Sequence, residues 1–248
     1  MARMPGARWL GEHSPRQPIE RYDRIILHTI VGRAPVHTPH FSVAGDGTIY
    51  QSRDTKYQSA VSLEGNPTSI GIETEDRGPL FPNWNVNDGH AVPGFTDAQI
   101  EAIAKICAWA HKEHGIPLVE CPSSRPGTRG IAWHRMGIDG NFLAAGYKYG
   151  GRVAGGERWS EAYGKVCPGD RRIAQIPRII KRAREIQEED MPSVDEIRDA
   201  VRAELNAHDK KIIGKYVTGV DITATSAGPA RYAHLALRTL REQHAEVM

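Results

Sequence analysis

The sequence predicts an α/β or α+β domain followed by a smaller helical region. Short β-branched and aliphatic runs, which are typical of buried strands, lie mainly in the first half of the chain. Segments with helical spacing of apolar residues follow them, and elements in this order pack as helices against a sheet. The dipeptide Met191-Pro192 interrupts the chain after the last of these segments. We therefore expect one domain at residues 1–190 and a helical C-terminal region at residues 191–248.

The strands are predicted from short apolar runs bounded by turn residues. Asp46-Gly47 lies between two such runs, and Asp-Gly is a strong signal for a hairpin. Gly71 lies inside another run, where a residue without a side chain indicates close approach of a neighbouring segment. The predicted strands are residues 24–30, 41–44, 48–51, 68–74 and 131–134. Residues 1–20, rich in Arg, Gly, Pro and His, are predicted to be an arm without regular structure.

The first predicted helix begins after Thr96. Thr96 and Gln99 form a capping box, apolar residues then recur at helical spacing, and Gly115 ends the pattern. Cys107 lies on the apolar face of this helix, so we expect it to be a core thiol. A long segment rich in Gly and Tyr, residues 135–164, is predicted to be a loop. Further helices are predicted at residues 173–187, 193–213 and 229–244.

The composition excludes several classes of function. The 248 residues include 32 Lys and Arg against 30 Asp and Glu, which gives a formal charge of +2. This balance lacks the excess of positive charge that is expected when nucleic acid or an anionic membrane is the main partner. No apolar run approaches the roughly 20 residues that span a bilayer, and the N-terminal residues lack the apolar stretch of a signal peptide. Three scattered cysteines exclude a disulfide scaffold. We expect a soluble protein made without a secretion signal.

Three fragments point to a specific chemistry when they are taken together. They are Ile26-Leu27-His28-Thr29, Ser69-Ile70-Gly71-Ile72-Glu73, and Trp133-His134 followed by Lys165-Val166-Cys167-Pro168-Gly169-Asp170. In this order and spacing they resemble the zinc-dependent N-acetylmuramoyl-L-alanine amidases of the type-2 family, which includes phage endolysins and animal peptidoglycan-recognition proteins. Residues 21–187 carry the resemblance, and residues 130–170 are especially similar to endolysins of phages that infect actinobacteria. The resemblance implies a central mixed β-sheet flanked by helices, with a zinc site in a surface groove.

The resemblance implies three zinc ligands, which are His28, His134 and Cys167. Two neutral imidazoles and one thiolate leave a fourth tetrahedral position open for water, as in catalytic rather than structural zinc sites. Taken singly, each residue has a structural alternative. His28 alone would be a hydrogen-bonded core histidine, His134 a half-buried histidine and Cys167 a loop thiol. The implied cofactor is Zn²⁺ alone.

The resemblance also implies residues that act on the substrate. Glu73, directly after Ile-Gly-Ile, is at the position of the family's catalytic glutamate, which takes a proton from water and returns one to the leaving amine. Glu75 shares its strand face and is the alternative base. Lys165 is at the position of a lysine that stabilises the oxyanion, although by itself it would be an exposed loop residue. His40 is expected either to contact substrate or to be a hydrogen-bonded surface imidazole.

The sequence departs from the family at several positions. Pro39 occupies the place of the catalytic tyrosine found in one phage branch, so proton transfer falls to the glutamate. Val61-Ser62 stands where many members have a His-Ala pair, which is a departure at one substrate or transition-state contact. The loop at residues 141–164 is expected either to wall a groove or to be anchored on the core through its aromatic residues, Tyr147, Tyr149, Trp159 and Tyr163.

The implied function is hydrolysis of the amide between N-acetylmuramic acid and L-alanine in peptidoglycan by a zinc-activated water. We expect a phage endolysin that stays in the host cytoplasm until lysis and then degrades the cell wall. The alternatives are an intracellular amidase that recycles soluble muropeptides and a peptidoglycan-binding module without hydrolysis. Residues 191–248 resemble no cell-wall-binding repeat. We expect them to form a homo-oligomer or, alternatively, to serve cell-wall targeting.

Overall fold

The computed structural model describes residues 2–11, 17–189 and 193–217. The chain divides into two units, with the boundary between Glu188 and Glu189. Among the described residues, six strands of the first unit form one mixed sheet, as the resemblance implies. The strands are β1 (Arg8–Trp9), β2 (Arg24–Thr29), β3 (Phe41–Val43), β4 (Ile49–Gln51), β5 (Ser69–Thr74) and β6 (Gly130–Trp133). Their order across the sheet is β1-β4-β3-β5-β2-β6.

Strand β2 lies inside the sheet and pairs in parallel with both β5 and β6. All six of its residues are buried, as the apolar run Ile25-Ile26-Leu27 predicts for its centre. Its register aligns His28 with Glu73, so the two side chains project from the same face of the sheet. Because β2, β5 and β6 run in one direction, the residues that follow them meet at a single edge.

The β3–β4 hairpin is the antiparallel part of the sheet, as Asp46-Gly47 predicts. Gly47 has a φ of 85°, which an L-residue rarely adopts. The prediction for Gly71 is also confirmed, because a Cβ there would lie 2.5 Å from Cγ2 of Val61. The expectation of an unstructured arm is wrong at one point. Arg8 and Trp9 pair in parallel with β4, a contact that two residues are too few to signal in sequence.

Helix α1 (Asp97–His114) has the predicted capping box, and Gly115 ends it in the left-handed conformation with a φ of 68°. The helix predicted at residues 173–187 is confirmed as α3 (Ile176–Glu189), which begins three residues later than predicted, and a separate short helix, α2 (Asp170–Ile173), precedes it. Pro177 explains the restart, because proline is tolerated only in the first turn of a helix. The buried faces of α1 and α3 share one apolar core with the sheet, and Cys107 lies in it as predicted.

The second unit contains helix α4 (Val194–Val217). Its start is closed by a capping box, since Ser193 Oγ accepts from Glu196 N at 3.2 Å and Glu196 Oε2 accepts from Ser193 N at 2.7 Å. The helix predicted at residues 229–244 lies outside the described residues. No helix within the described part of the chain is long and apolar enough to cross a membrane.

Candidate metal centre

The structure brings His28, His134 and Cys167 together at the edge where the parallel strands end. One ligand atom from each residue lies within 4.8 Å of those of the other two, and all three residues are buried. His28 lies near the end of β2, His134 directly follows β6, and Cys167 precedes α2. The sheet therefore assembles three residues that are far apart in sequence.

The imidazole of His134 is oriented by the loop that follows it. Its Nε2 lies 2.9 Å from the carbonyl oxygen of Trp159, and since a carbonyl only accepts, Nε2 carries the hydrogen. In the neutral ring Nδ1 then has a free lone pair. This Nδ1 is buried and has no hydrogen-bond partner among the described residues. An unpartnered buried acceptor is costly, and a metal ion would satisfy it.

The imidazole of His28 is held in a similar way from its other side. Its Nε2 lies 3.1 Å from Oγ of Ser62, and its Nδ1 lies 3.8 Å from Oε1 of Glu73. The centroids of the His28 and His134 rings are 4.2 Å apart. One nitrogen of each ring is thus engaged by the protein, while Nδ1 of each lacks a close protein partner of its own.

The electrostatics keep both imidazoles neutral, which is the form that binds metals. Burial lowers the pKa of His28 well below its usual value, and the nearby His134 and Lys165 lower it further. Burial also lowers the pKa of His134 to about 4, against the raising effect of its hydrogen bond to Trp159. Both rings are therefore available as neutral ligands at physiological pH.

The thiol of Cys167 is buried beside the two histidines. The backbone N–H of Thr29 donates to its Sγ at 3.3 Å, which stabilises negative charge on the sulfur. Burial nevertheless raises the pKa of this thiol to about 12, and the nearby Glu73 raises it as well. A bound metal would supply the missing positive charge and displace the proton. Two neutral imidazoles and one thiol fit a zinc ion with an open fourth position.

Glu73 lies next to these three residues. Its side chain is 16% exposed, and its buried Oε2 has no hydrogen-bond partner in the described part of the chain. Burial raises its pKa to about 7, while Lys165 and Arg172 act to lower it and Asp76 to raise it. A carboxyl with a pKa near neutrality can both accept and donate a proton.

Glu75 differs from Glu73 in its contacts. Its Oε2 lies 3.3 Å from the backbone nitrogen of Ala34 and 3.4 Å from that of Gly45, and both N–H groups donate to it. This carboxylate therefore ties two loops to the end of β5. Its contacts are those of a structural residue.

Lys165 is exposed on the segment that precedes Cys167. Its positive charge lowers the pKa values of His28, His134 and Glu73, so it lies close enough to act on all three electrostatically. An exposed ammonium at the rim of the cluster can approach a developing negative charge there.

His40, predicted either to contact substrate or to lie on the surface, is fully buried. Its Nε2 donates to the carbonyl oxygen of Tyr57 at 2.7 Å, and its Nδ1 accepts from the backbone nitrogen of Gly71 at 3.0 Å. Burial lowers its pKa to about 4. Both ring nitrogens are thus used inside the protein, and neither is available to a substrate.

Trp159 follows the second alternative for the long loop, because it is anchored on the core. Trp159 is buried against Gly65 and Gly137, so it anchors the loop and places its carbonyl on His134. Tyr163 is exposed over 68% of its surface. Ser62 was not predicted to be a partner of His28. The only signal in the sequence was that Val61-Ser62 replaces the His-Ala pair of many family members.

A comparison with models of protein families identifies the same family. Residues 12–170 match the family model for N-acetylmuramoyl-L-alanine amidase, named Amidase_2. None of the curated proteins matches the chain. The similar solved structures include the endolysin amidase LysCS of Clostridium intestinale (14% identity, 73% of this chain and 99% of that chain, TM-score 0.46). They also include the hydrolase AmiA of Staphylococcus aureus (15%, 75% and 87%, TM-score 0.48). A third is the Ph2119 endolysin of a Thermus scotoductus bacteriophage (14%, 69% and 98%, TM-score 0.40).

The family match covers well over half of the chain and includes His28, Glu73, His134 and Cys167. These are the residues that the fold gathers at one edge of the sheet. The chain belongs to the N-acetylmuramoyl-L-alanine amidase family.

Proposed function

We propose that this protein is a phage endolysin-type hydrolase that cleaves the amide between N-acetylmuramic acid and L-alanine in peptidoglycan, with zinc held by His28, His134 and Cys167. The observation that carries the proposal is the buried, unpartnered Nδ1 of His134 beside the other two ligands. When bound there, zinc would supply a Lewis acid that polarises the scissile carbonyl and lowers the pKa of water.

Glu73 is the proposed acid and base of the reaction. Its Oε1 lies 3.8 Å from Nδ1 of His28, beside the proposed ligands, and its buried Oε2 has no hydrogen-bond partner among the described residues, so the carboxyl can exchange a proton there. It takes a proton from the attacking water as the tetrahedral carbon forms. It then gives that proton to the alanine nitrogen as the C–N bond breaks. Glu75 is less suited, because its carboxylate already accepts two backbone hydrogen bonds.

Lys165 is the proposed electrostatic partner of the carbonyl oxygen. Negative charge develops on that oxygen when water adds, and an ammonium at the rim of a buried site stabilises it. The side chain is exposed and unrestrained by a described hydrogen bond, so it can follow the substrate into place.

The first experiment is a digest of purified actinobacterial peptidoglycan with and without a zinc chelator. New alanine amino groups and new reducing sugar ends are followed in the same samples. We expect amine release that the chelator abolishes, with no reducing ends. Sedimentation with the wall without either product would instead support a binding module, and reducing ends would indicate a glycosidase.

A second experiment separates lysis from recycling. An endolysin must act on intact sacculi, whereas a recycling amidase needs only soluble anhydro-muropeptides. We expect turnover on sacculi that is at least comparable with turnover on muropeptides. Activity confined to the small substrates would overturn the endolysin role and the proposed storage in the host cytoplasm until lysis, while leaving the amidase chemistry intact.

The C-terminal region, residues 191–248, is proposed to be a separate module that mediates self-association. Helix α4 exposes most of the side chains described along it, including Leu205, so it has apolar surface to bury against a partner. Light scattering of the full chain and of a chain ending at residue 190 tests this. Equal monomer masses would contradict self-association, and loss of sacculus binding on truncation would favour wall targeting.

A further inference from the structure

Arg135 is a fully buried arginine that directly follows the proposed zinc ligand His134. An arginine keeps its charge at any ordinary pH, so its burial requires several specific partners. The chemistry proposed above makes no use of this guanidinium. Its partners therefore indicate what it does.

The first partners of Arg135 belong to the segment that carries Cys167. The backbone N–H of Arg135 donates to the carbonyl oxygen of Cys167 at 2.9 Å. In the side chain, Nε and Nη2 both donate to the carbonyl oxygen of Val166, at 3.2 and 2.7 Å. Val166 lies between Lys165 and Cys167. One arginine thus holds two consecutive carbonyls of the segment from which both functional side chains project.

The remaining partners fix the orientation of the guanidinium. Its Nη1 donates to Oδ1 of Asp170 at 2.5 Å and to the carbonyl oxygen of Tyr149 at 3.2 Å. The other oxygen of Asp170 accepts from the backbone nitrogen of Lys148 at 2.7 Å. The guanidinium carbon also lies 5.1 and 4.8 Å from the ring centroids of Phe142 and Tyr147. A lysine cannot reproduce these contacts, because its single ammonium lacks the planar, forked set of N–H donors of a guanidinium.

We propose that Arg135, oriented by Asp170, is a positioning residue that sets Cys167 and Lys165 against His134. The segment at residues 161–167 belongs to no helix or strand, so no regular ladder of hydrogen bonds fixes it. The hydrogen bonds of Arg135 to the carbonyl oxygens of Val166 and Cys167 hold the segment instead. The inference rests on the proposed function, because it concerns the geometry of the same zinc ligands and the same lysine.

A second arginine in the same loop provides a matched control. Arg152 forms two parallel hydrogen bonds to Asp139, both at 2.9 Å, and a third to the carbonyl of Gly156. None of these contacts reaches the Cys167 segment. The side chains of this pair are 30% and 45% exposed, so it is also the more weakly desolvated of the two pairs.

The test measures zinc affinity by chelator competition and the absorption of the cobalt-substituted protein, for wild type, Asp170→Asn, Arg135→Lys and Asp139→Asn. Asp170→Asn keeps the shape but removes the charge that orients Arg135. We expect zinc affinity to fall by about 10- to 100-fold in the first two variants, as for other residues that orient metal ligands. We also expect a shifted thiolate-to-cobalt absorption band in both. Asp139→Asn should match wild type in affinity and spectrum.

The thermal stability of each metal-free variant separates positioning from folding. If Asp170→Asn and Arg135→Lys melt at lower temperature but keep wild-type zinc affinity and cobalt spectrum, the pair is only a loop anchor and the inference is wrong. If Arg135→Lys does not fold, Asp170→Asn decides alone. If wild type itself binds no zinc and shows no thiolate-to-cobalt band, the proposed function fails and the inference fails with it.

Discussion

Three buried histidines lie in or beside strands of the same sheet and differ in how their ring nitrogens are used. His40 forms the first group, and His28 and His134 form the second. His40 gives both nitrogens to main-chain partners, Tyr57 and Gly71. His28 and His134 each give only Nε2 to a protein partner at hydrogen-bond distance. Burial lowers the pKa in both groups, so burial alone does not distinguish them.

The difference indicates what separates a structural histidine from a ligand. A fully satisfied imidazole stabilises the fold and has nothing left to bind. An imidazole with one nitrogen oriented and the other free is costly in the isolated protein, and a metal ion recovers that cost. Glu73, with its own unpartnered buried oxygen, belongs with the second group, whereas Glu75 belongs with the first.

The largest effect is expected from removal of the thiol. Cys167→Ala deletes one of the three proposed ligands, so we expect zinc content and amide hydrolysis both to fall below detection. Cys121→Ala is the control, since Cys121 is also a buried thiol, but its Sγ is hydrogen-bonded to Ser123 and Thr128 and is not part of the cluster. Metal analysis after gel filtration measures the zinc. Wild-type stoichiometry in Cys167→Ala would contradict the ligand assignment.

Removal of the base should leave the metal in place and stop turnover. Glu73→Gln keeps the size of the side chain but cannot take a proton, so we expect kcat to fall by about 10²- to 10⁴-fold at unchanged zinc content. Glu75→Gln is matched to it, because an amide oxygen still accepts from Ala34 and Gly45. Equal losses in the two variants would place the base elsewhere.

The same substitution should stabilise the zinc-free protein at high pH. Burial raises the pKa of Glu73 from 4.5 to about 7, so the folded state binds the proton more tightly than the unfolded state. The contribution of Glu73 to wild-type stability therefore falls as pH rises from about 4.5 to about 7 and stays lower above that window. At pH 8 we expect Glu73→Gln to be more stable by about 1–2 kcal/mol, a figure discounted for partial exposure.

Urea unfolding in chelator at pH 8 and pH 4.5 measures this difference. The gain should largely disappear at the lower pH, where the wild-type carboxyl is protonated in the folded state and about half protonated in the unfolded state. The buried histidines titrate alike in the two proteins and cancel in the comparison. A gain of equal size at both pH values would mean that packing, and not the charge of Glu73, is responsible.

The smallest effect is expected at the partner of His28. Ser62→Ala removes the hydroxyl that lies 3.1 Å from Nε2, so the ring is free to turn and zinc affinity should fall by about tenfold. Ser52→Ala is the control, because Ser52 is equally buried but donates to the carbonyl of Pro39. Chelator competition measures both. Equal affinities would show that packing alone orients His28.

Several elements were predictable because their signals are local. The capping box at Thr96, the Asp46-Gly47 turn and the apolar run of β2 each specify a conformation within a few residues. The break between α2 and α3 and the pairing of Arg8 with β4 were not predicted. The first depends on one proline, and the second on a contact between distant segments.

By itself, the sequence determined the identity of the chemical groups and the strands and helices that carry them. His28, Glu73, His134 and Cys167 could be selected from motifs because their order along the chain follows the family. Only the tertiary structure decided which of these side chains keep a buried polar atom without a hydrogen-bond partner among the described residues. Hydrogen bonds to Ser62, Trp159, Tyr57 and Gly71 are made by segments far away in sequence. Whether a buried polar atom is satisfied is therefore a property of packing, and no local pattern encodes it.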